Sequence, residues 1–198
     1  MAGRTRIVLE DDGRMFHMAS SRAATIEDLS HIRGKAEIVG GELVLMSPAG
    51  GLHGYAAGVI FASLFDYGRR TKLGHALPDN VGFVVNLENR RSFCPDAAFC
   101  TQPLTRTFID GAPVFAAEVR SEEDFGPAAE RAMASKRADY FAAGTQVVWD
   151  VDTLRDQVVR VYRATDPATP AVYSRSATAE AEPAVPGWSM PVDDLFPD

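Results

Sequence analysis

The sequence predicts an α/β protein in which a mixed β-sheet is flanked by helices. Three observations predict it. Apolar runs at 81–87, 93–100, 113–120, 146–152 and 157–163 are too short for helices and are rich in Val and Phe. Two longer stretches, 53–70 and 127–144, are built from good helix formers. After an opening β-hairpin the order is helix, three strands, helix, strand, strand, so helices must pack on a sheet.

Each element has a local reason. "TIEDLSHIRG" reads as a short helix capped by Thr25. "AEIVGGELVLM" (36–46) alternates around Gly40-Gly41, a two-residue hairpin turn. The helix over 53–70 is apolar nearly all round, and Gly54 and Gly58 let it pack closely. Pro95 places the strand 93–100 at an edge or delays its start. Pro127 and Gly144 suit the first helical position and the C′ position of the helix 127–144. The runs 146–152 and 157–163 form a last hairpin, and 164–170 reads as a polar loop. The chain is expected to be one domain, 1–198, whose C-terminal tail, 164–198, is anchored by Trp188, Leu195 and Phe196.

The bulk numbers narrow the function classes. A net charge of −7 and a pI near 5.1 argue against broad nonspecific affinity for nucleic acid, though a local basic groove is still allowed. No apolar stretch approaches the ~20 residues of a membrane span, and the polar N-terminus lacks a signal-peptide core. If Cys94 and Cys100 share one strand they lie about 20 Å apart and cannot bridge. A reducing cytoplasm is the expectation.

The chemistry lies in charges aimed inward. With a period of two, Val114, Ala116, Glu118 and Arg120 share one strand face, and Cys94, Asp96, Ala98 and Cys100 share another. At 100° per residue, Ala129, Ala132, Met133, Lys136, Tyr140 and Ala143 fall in one core-facing stripe. Lys136 is one of only three lysines, with Lys35 and Lys72, against seventeen arginines. A buried carboxylate needs a partner, a metal or a raised pKa. Asp96 and Glu118, with Glu37 or its rival Glu42, make a hard oxygen site suited to Mg²⁺ or Mn²⁺, with Lys136 placed to orient or deprotonate a water. The same spacing also fits a buried ion-pair network with no reaction attached, with Arg120 as a partner of Glu118 and Tyr140 as core packing. His53 stands at the start of the long helix.

These pieces resemble a family. "AEIVGGELVLMSP" followed by His53, then "CPDAAF", "GAPVFAAEVRS", "KRADYFAAGTQVVWDVD" and "VVRVYR" match, in order and spacing, the Uma-two family of bacterial proteins assigned as restriction endonucleases. The resemblance covers about residues 36–163. It implies a restriction-endonuclease-like core with the PD-(D/E)xK signature, in which Asp96 and Glu118 bind the metal. Glu37 resembles the acidic residue of the first element, and His53 the family's histidine. The third signature position after Glu118 is Arg120, and the signature lysine looks displaced onto the next helix as Lys136. The family often reads Ser-Pro-Ser after the glutamate strand, where this chain has Ser121-Glu122-Glu123-Asp124. That adds negative charge near the site.

The expectation is therefore a Mg²⁺- or Mn²⁺-dependent endonuclease hydrolysing DNA phosphodiester bonds. Asp96, Glu118 and Glu37 would be metal ligands, and Lys136 and His53 would be further catalytic residues. A homodimer would suit a duplex with two strands to cut. The alternative is a catalytically silent nuclease fold that binds a protein or nucleic-acid partner.

Overall fold

The structure is a computed structural model that describes residues 6–9, 15–19 and 22–197. An antiparallel sheet comes first. It is formed by β1 (Arg6–Leu9), β2 (Met15–Ala19), β3 (Ala36–Val39) and β4 (Glu42–Met46) in the order β1-β2-β4-β3. Gly40 and Gly41 turn β3 into β4 with φ of 59° and 79°, a conformation that glycine adopts without a Cβ clash. Helix α1 (Ile26–Ser30) leads into β3. Thr25 and Asp28 cap it reciprocally, each backbone N–H donating to the other's side chain.

Helix α2 (Gly51–Thr71) then delivers the chain to β5 (His75–Pro78). A Cβ at Gly74, in the connection, would run into the Cys100 carbonyl and the Phe99 ring, so the close approach needs glycine. Short strands β6 (Phe83–Val84), β7 (Ser92–Phe93) and β9 (Ile109–Asp110) form a small sheet of their own. Strands β8 (Ala97–Cys100) and β10 (Phe115–Val119) precede helix α3 (Pro127–Ala142). Then come β11 (Val147–Asp152), β12 (Val158–Arg163) and β13 (Asp166–Ser174). The main sheet runs β13-β12-β11-β10-β8-β5, with β10 and β11 parallel and the other pairs antiparallel. It is the expected mixed sheet.

The two faces of β10 divide the core. Phe115, Ala117 and Val119 join a cluster containing Ile60 and Leu64 of α2. Ala116 joins the opposite cluster, with Ala98, Val148 and Tyr140 of α3. The helices therefore flank the sheet on both sides. Among the described residues no helix is long and apolar enough to cross a membrane. Both cysteines are buried and free.

Three sequence expectations shift. The run 81–87 yields only the two-residue β6, and β5 stands in its place in the main sheet. Pro95 does delay its strand, but β8, which starts at Ala97, is paired on both sides. The expected loop at 164–170 is instead the start of β13. Its prolines are tolerated because β13 is an outermost strand. Beyond it, β14 (Thr178–Glu180), β15 (Ser189–Pro191) and a 3₁₀ turn (Val192–Leu195) fold the tail back. Trp188 and Leu195 are buried in the α2-side cluster, and Phe196 packs at its margin. Trp188 meets Trp149 and Phe115 with ring centroids 4.9 and 5.5 Å apart.

Candidate active site

Glu118 follows Ala116 at the period of two, so it projects from β10 on the α3 side. Lys136 and Tyr140 lie one turn apart on α3 and both reach it. Lys136 Nζ is 2.8 Å from Glu118 Oε2, and the Tyr140 hydroxyl donates to Oε1 at 2.7 Å. The Tyr140 ring is fully buried and stacks on Phe93 with centroids 4.0 Å apart, so it is core and site at once.

Asp96 lies just before β8 and is stitched across β10. Its own N–H donates to the Ala117 carbonyl at 3.1 Å, and the Val119 N–H donates to its Oδ2 at 2.7 Å. These bonds flank Glu118 on both sides. His53 Nε2, in the first turn of α2, lies 3.1 Å from the same Oδ2. Lys35 Nζ bonds Oδ1 and also pairs with Asp79 at 2.7 Å.

Glu37 comes from β3. Its neighbours Ala36 and Ile38 pack into the hydrophobic cluster around Leu29 and Leu43, which turns Glu37 to the opposite face. Both its oxygens are engaged. Oε2 accepts from Arg90 Nη1 at 2.5 Å. Oε1 accepts from the Cys94 N–H at 2.9 Å and lies 3.0 Å from Lys136 Nζ. Arg90 in turn reaches Asp139 of α3 at 2.8 Å.

The electrostatics separate the three acids. Burial opposes the charge on Asp96, but the His53 hydrogen bond and Lys35 outweigh it and hold the group well below the usual carboxylate range. Burial likewise opposes charge on Glu37, but Lys136 and Arg90 win and its pKa falls. Glu118 goes the other way. Burial and the nearby Asp96 and Glu37 charges push it up, against the pull of Lys136. Lys136 stays a cation: burial works against its charge, but Glu118 and Glu37 overcome this and raise its pKa. His53 Nδ1 is buried without a hydrogen-bond partner.

Asp96, Glu118, Lys136, Glu37 and His53 thus converge in one network. Glu42 sits across the turn opposite Val39. Arg120 is not a partner of Glu118: it pairs with Asp150 and Glu130. The acidic loop folds on itself, with the Ser121 N–H and Oγ donating to Asp124 at 2.8 and 2.9 Å. Sequence reasoning missed Lys35, Asp79, Arg90 and the Tyr140 hydroxyl. Lys35 had a signal: it lies two residues before Glu37, just ahead of β3, and two of the three lysines are here. Arg90, one arginine among seventeen, had none.

The sequence matches the family Uma2, "Putative restriction endonuclease", over residues 24–193. The chain belongs to the Uma2 family. The match extends past 36–163 on both sides and takes in most of the tail that feeds Trp188 and Leu195 into the core. Among solved structures, a putative nuclease of the DUF820 group from Anabaena variabilis superposes with a TM-score of 0.68 at 17% identity, covering 87% of this chain and 97% of that one. Curated proteins give no match. This Uma2 chain has the restriction-endonuclease-like fold, with the opening hairpin in its N-terminal sheet.

Proposed function

We propose that this protein is a metal-dependent endonuclease that hydrolyses DNA phosphodiester bonds, with Mg²⁺ or Mn²⁺ as its cation. One observation carries the reading. Asp96 and Glu118 are stitched side by side at the ends of β8 and β10, with a lysine cation on each.

The residues fit a hard cation in a particular way. Among the described residues no three His, Cys, Asp or Glu side chains are gathered so as to hold a metal between them. Glu37 is committed to Arg90 and the Cys94 N–H, which makes it a positioning residue for Lys136. That leaves Asp96 and Glu118. Two carboxylates suffice for Mg²⁺, which keeps several waters and takes the rest of its ligands from substrate phosphate. The raised pKa of Glu118 also supports a cation there, because a positive charge would offset Asp96 and Glu37. The bound metal would polarise the phosphoryl oxygen and lower the pKa of its water. Lys136 serves as a fixed positive charge that orients the water and steadies the phosphate, since its raised pKa disfavours a general-base role. His53 holds Asp96 from the α2 side.

Supercoiled plasmid should be nicked with Mg²⁺ or Mn²⁺ and not with EDTA. Glu118→Ala should lower the rate by about a hundredfold or more with the fold retained. Equal cleavage by the variant would overturn the assignment.

A second reading has its own observation: each core carboxylate already has a protein cation within bonding distance. A silent nuclease fold that binds a nucleic-acid or protein partner would need nothing more. On that reading the pairs are structural: Lys136→Met leaves Glu118 without its cation and melts below the parent, and no cation shifts either melt.

A further inference from the structure

We propose that Lys35 stands on Asp96 in the place a divalent cation takes, and that its ammonium moves to Asp79 when the cation enters. The inference rests on the metal-dependent reading of the site. Its evidence is the geometry around Asp96. Oδ2 is held by the Val119 N–H and His53 Nε2, two groups fixed by the sheet and by α2. Oδ1 is held by Lys35. The exchangeable oxygen of Asp96 is therefore the one covered by a flexible side chain.

Lys35 already has its second seat. Nζ lies 2.7 Å from Asp79 Oδ1, so it bridges two carboxylates of different depth. The Asp96 side chain is 4% exposed, whereas that of Asp79 is 44% exposed, at the rim. The Lys35 backbone is fixed, its carbonyl accepting from the Met46 N–H at 3.0 Å, so only the side chain needs to turn. The residue type matters in a chain with seventeen arginines. An arginine would grip Asp96 with a planar fork, whereas a lysine is a point charge that can leave by bond rotation. The absence, among the described residues, of a metal-ready group of three acids follows, because Lys35 and Lys136 are interleaved with the carboxylates.

Metal binding is then an exchange, and Lys35 sets the affinity as a competitor. Calorimetric titration with Mn²⁺ tests this on the full chain, comparing the parent with Lys35→Met, Lys35→Gln and Lys35→Arg, and with Lys72→Met as a remote control. Lys35→Met and Lys35→Gln should bind Mn²⁺ about tenfold more tightly or better. Their melting temperatures should be lower than the parent's in EDTA and rise more on adding Mn²⁺. Lys35→Arg and Lys72→Met should bind no more tightly than the parent. Folded Lys35→Met and Lys35→Gln proteins that bind Mn²⁺ no better than the parent overturn the proposal, as does their failure to bind at all. The nuclease reading fails separately. Plasmid cleavage that needs metal and is lost in Glu118→Ala upholds it whatever the Lys35 variants do. Tight Mn²⁺ binding by Lys35→Met with no cleavage by any protein upholds the exchange and removes the nuclease.

Discussion

Two buried ionic clusters meet at the end of β10, two residues apart on the chain, and they are built on different principles. Around Arg120 the pairing is saturated. Its Nε and Nη2 grip Asp150 at 2.6 and 2.8 Å, its other side takes Glu130, and Arg137 adds a bond to Asp150 at 3.1 Å. Aromatic faces cover the guanidinium groups, Phe125 near Arg120 at 5.4 Å and Tyr162 under Arg137 at 4.0 Å. The Asp150 hydrogen bond raises Arg120, and the Arg120 hydrogen bond lowers Glu130. Around Glu118 the cations at the two proposed ligands are lysines, one carboxylate is pushed up rather than down, and His53 Nδ1 has no partner. Planar forks that satisfy every atom make a strut. Point charges beside a carboxylate that burial pushes up make the arrangement that the proposed cation exchange requires.

The sharpest way to break that contrast is to remove one acid from each cluster. Asp150→Ala removes the buried acid that Arg120 and Arg137 share, leaving Arg120 only the exposed Glu130 and Arg137 no acid among the described residues, and breaking a buried pair from one side costs about 3–5 kcal/mol. Glu118→Ala leaves Lys136 still paired with Glu37 at 3.0 Å, and should cost about 1 kcal/mol. Urea denaturation in EDTA reads both. If the two costs were equal, the Glu118 cluster would be a strut as well.

A smaller effect sharpens the comparison inside the site, where Asp96 and Glu118 should respond to pH with opposite signs. Asp96 has a lowered native pKa, so its contribution is present above the ordinary carboxylate range and is lost as pH falls. Glu118 has a raised native pKa. The native state then holds that proton more tightly than the unfolded chain, and stability is lost as pH rises through the native value. Asp96→Asn should therefore be less stable than the parent at pH ~7, with the deficit shrinking below about pH 4. Glu118→Gln should be more stable at pH ~7, with the advantage fading toward about pH 4.5. Denaturation of both variants across that range, in EDTA, checks the signs, and a shared sign would sink the electrostatic account.

Much of this was legible in the sequence because it follows from periodicity. A two-residue period on β10 placed Glu118 opposite the aromatic core, and the helical stripe of α3 put Lys136 and Tyr140 together. The hairpin and the cap at Thr25 are local chemistry, and both formed as expected. What failed was long-range. β5 was missed because "HALP" is short and weakly patterned, and it is a strand only because β8 pairs with it. The stretch 164–170 reads as a loop because its prolines break the local signal, while β12 supplies the pairing that makes 166–170 the start of β13. Arg120 was set beside Glu118 because strand alternation was carried one residue past the end of β10. There the chain leaves the ladder and the side chain turns to Asp150. Among the site residues, Arg90 lies outside the strands, at an isolated antiparallel bridge to Val39, where no period in the sequence says which way a side chain points.

The most conservative substitution concerns a residue that periodicity assigned to packing alone. Tyr140→Phe keeps the ring and its stack on Phe93, and removes only the hydroxyl that donates to Glu118. The hydrogen bond favours the ionised carboxylate, so its loss should raise the Glu118 pKa further and cost about 1.5 kcal/mol at neutral pH. It should also weaken Mn²⁺ binding, because the proposed ligand is then harder to deprotonate, and the weakening should shrink as pH is raised. An alanine there would collapse the stack and say nothing about the site. Phenylalanine separates the two roles: a loss of stability with Mn²⁺ affinity unchanged at every pH would return Tyr140 to the core and leave Lys136 as the one contact from α3 that matters to Glu118.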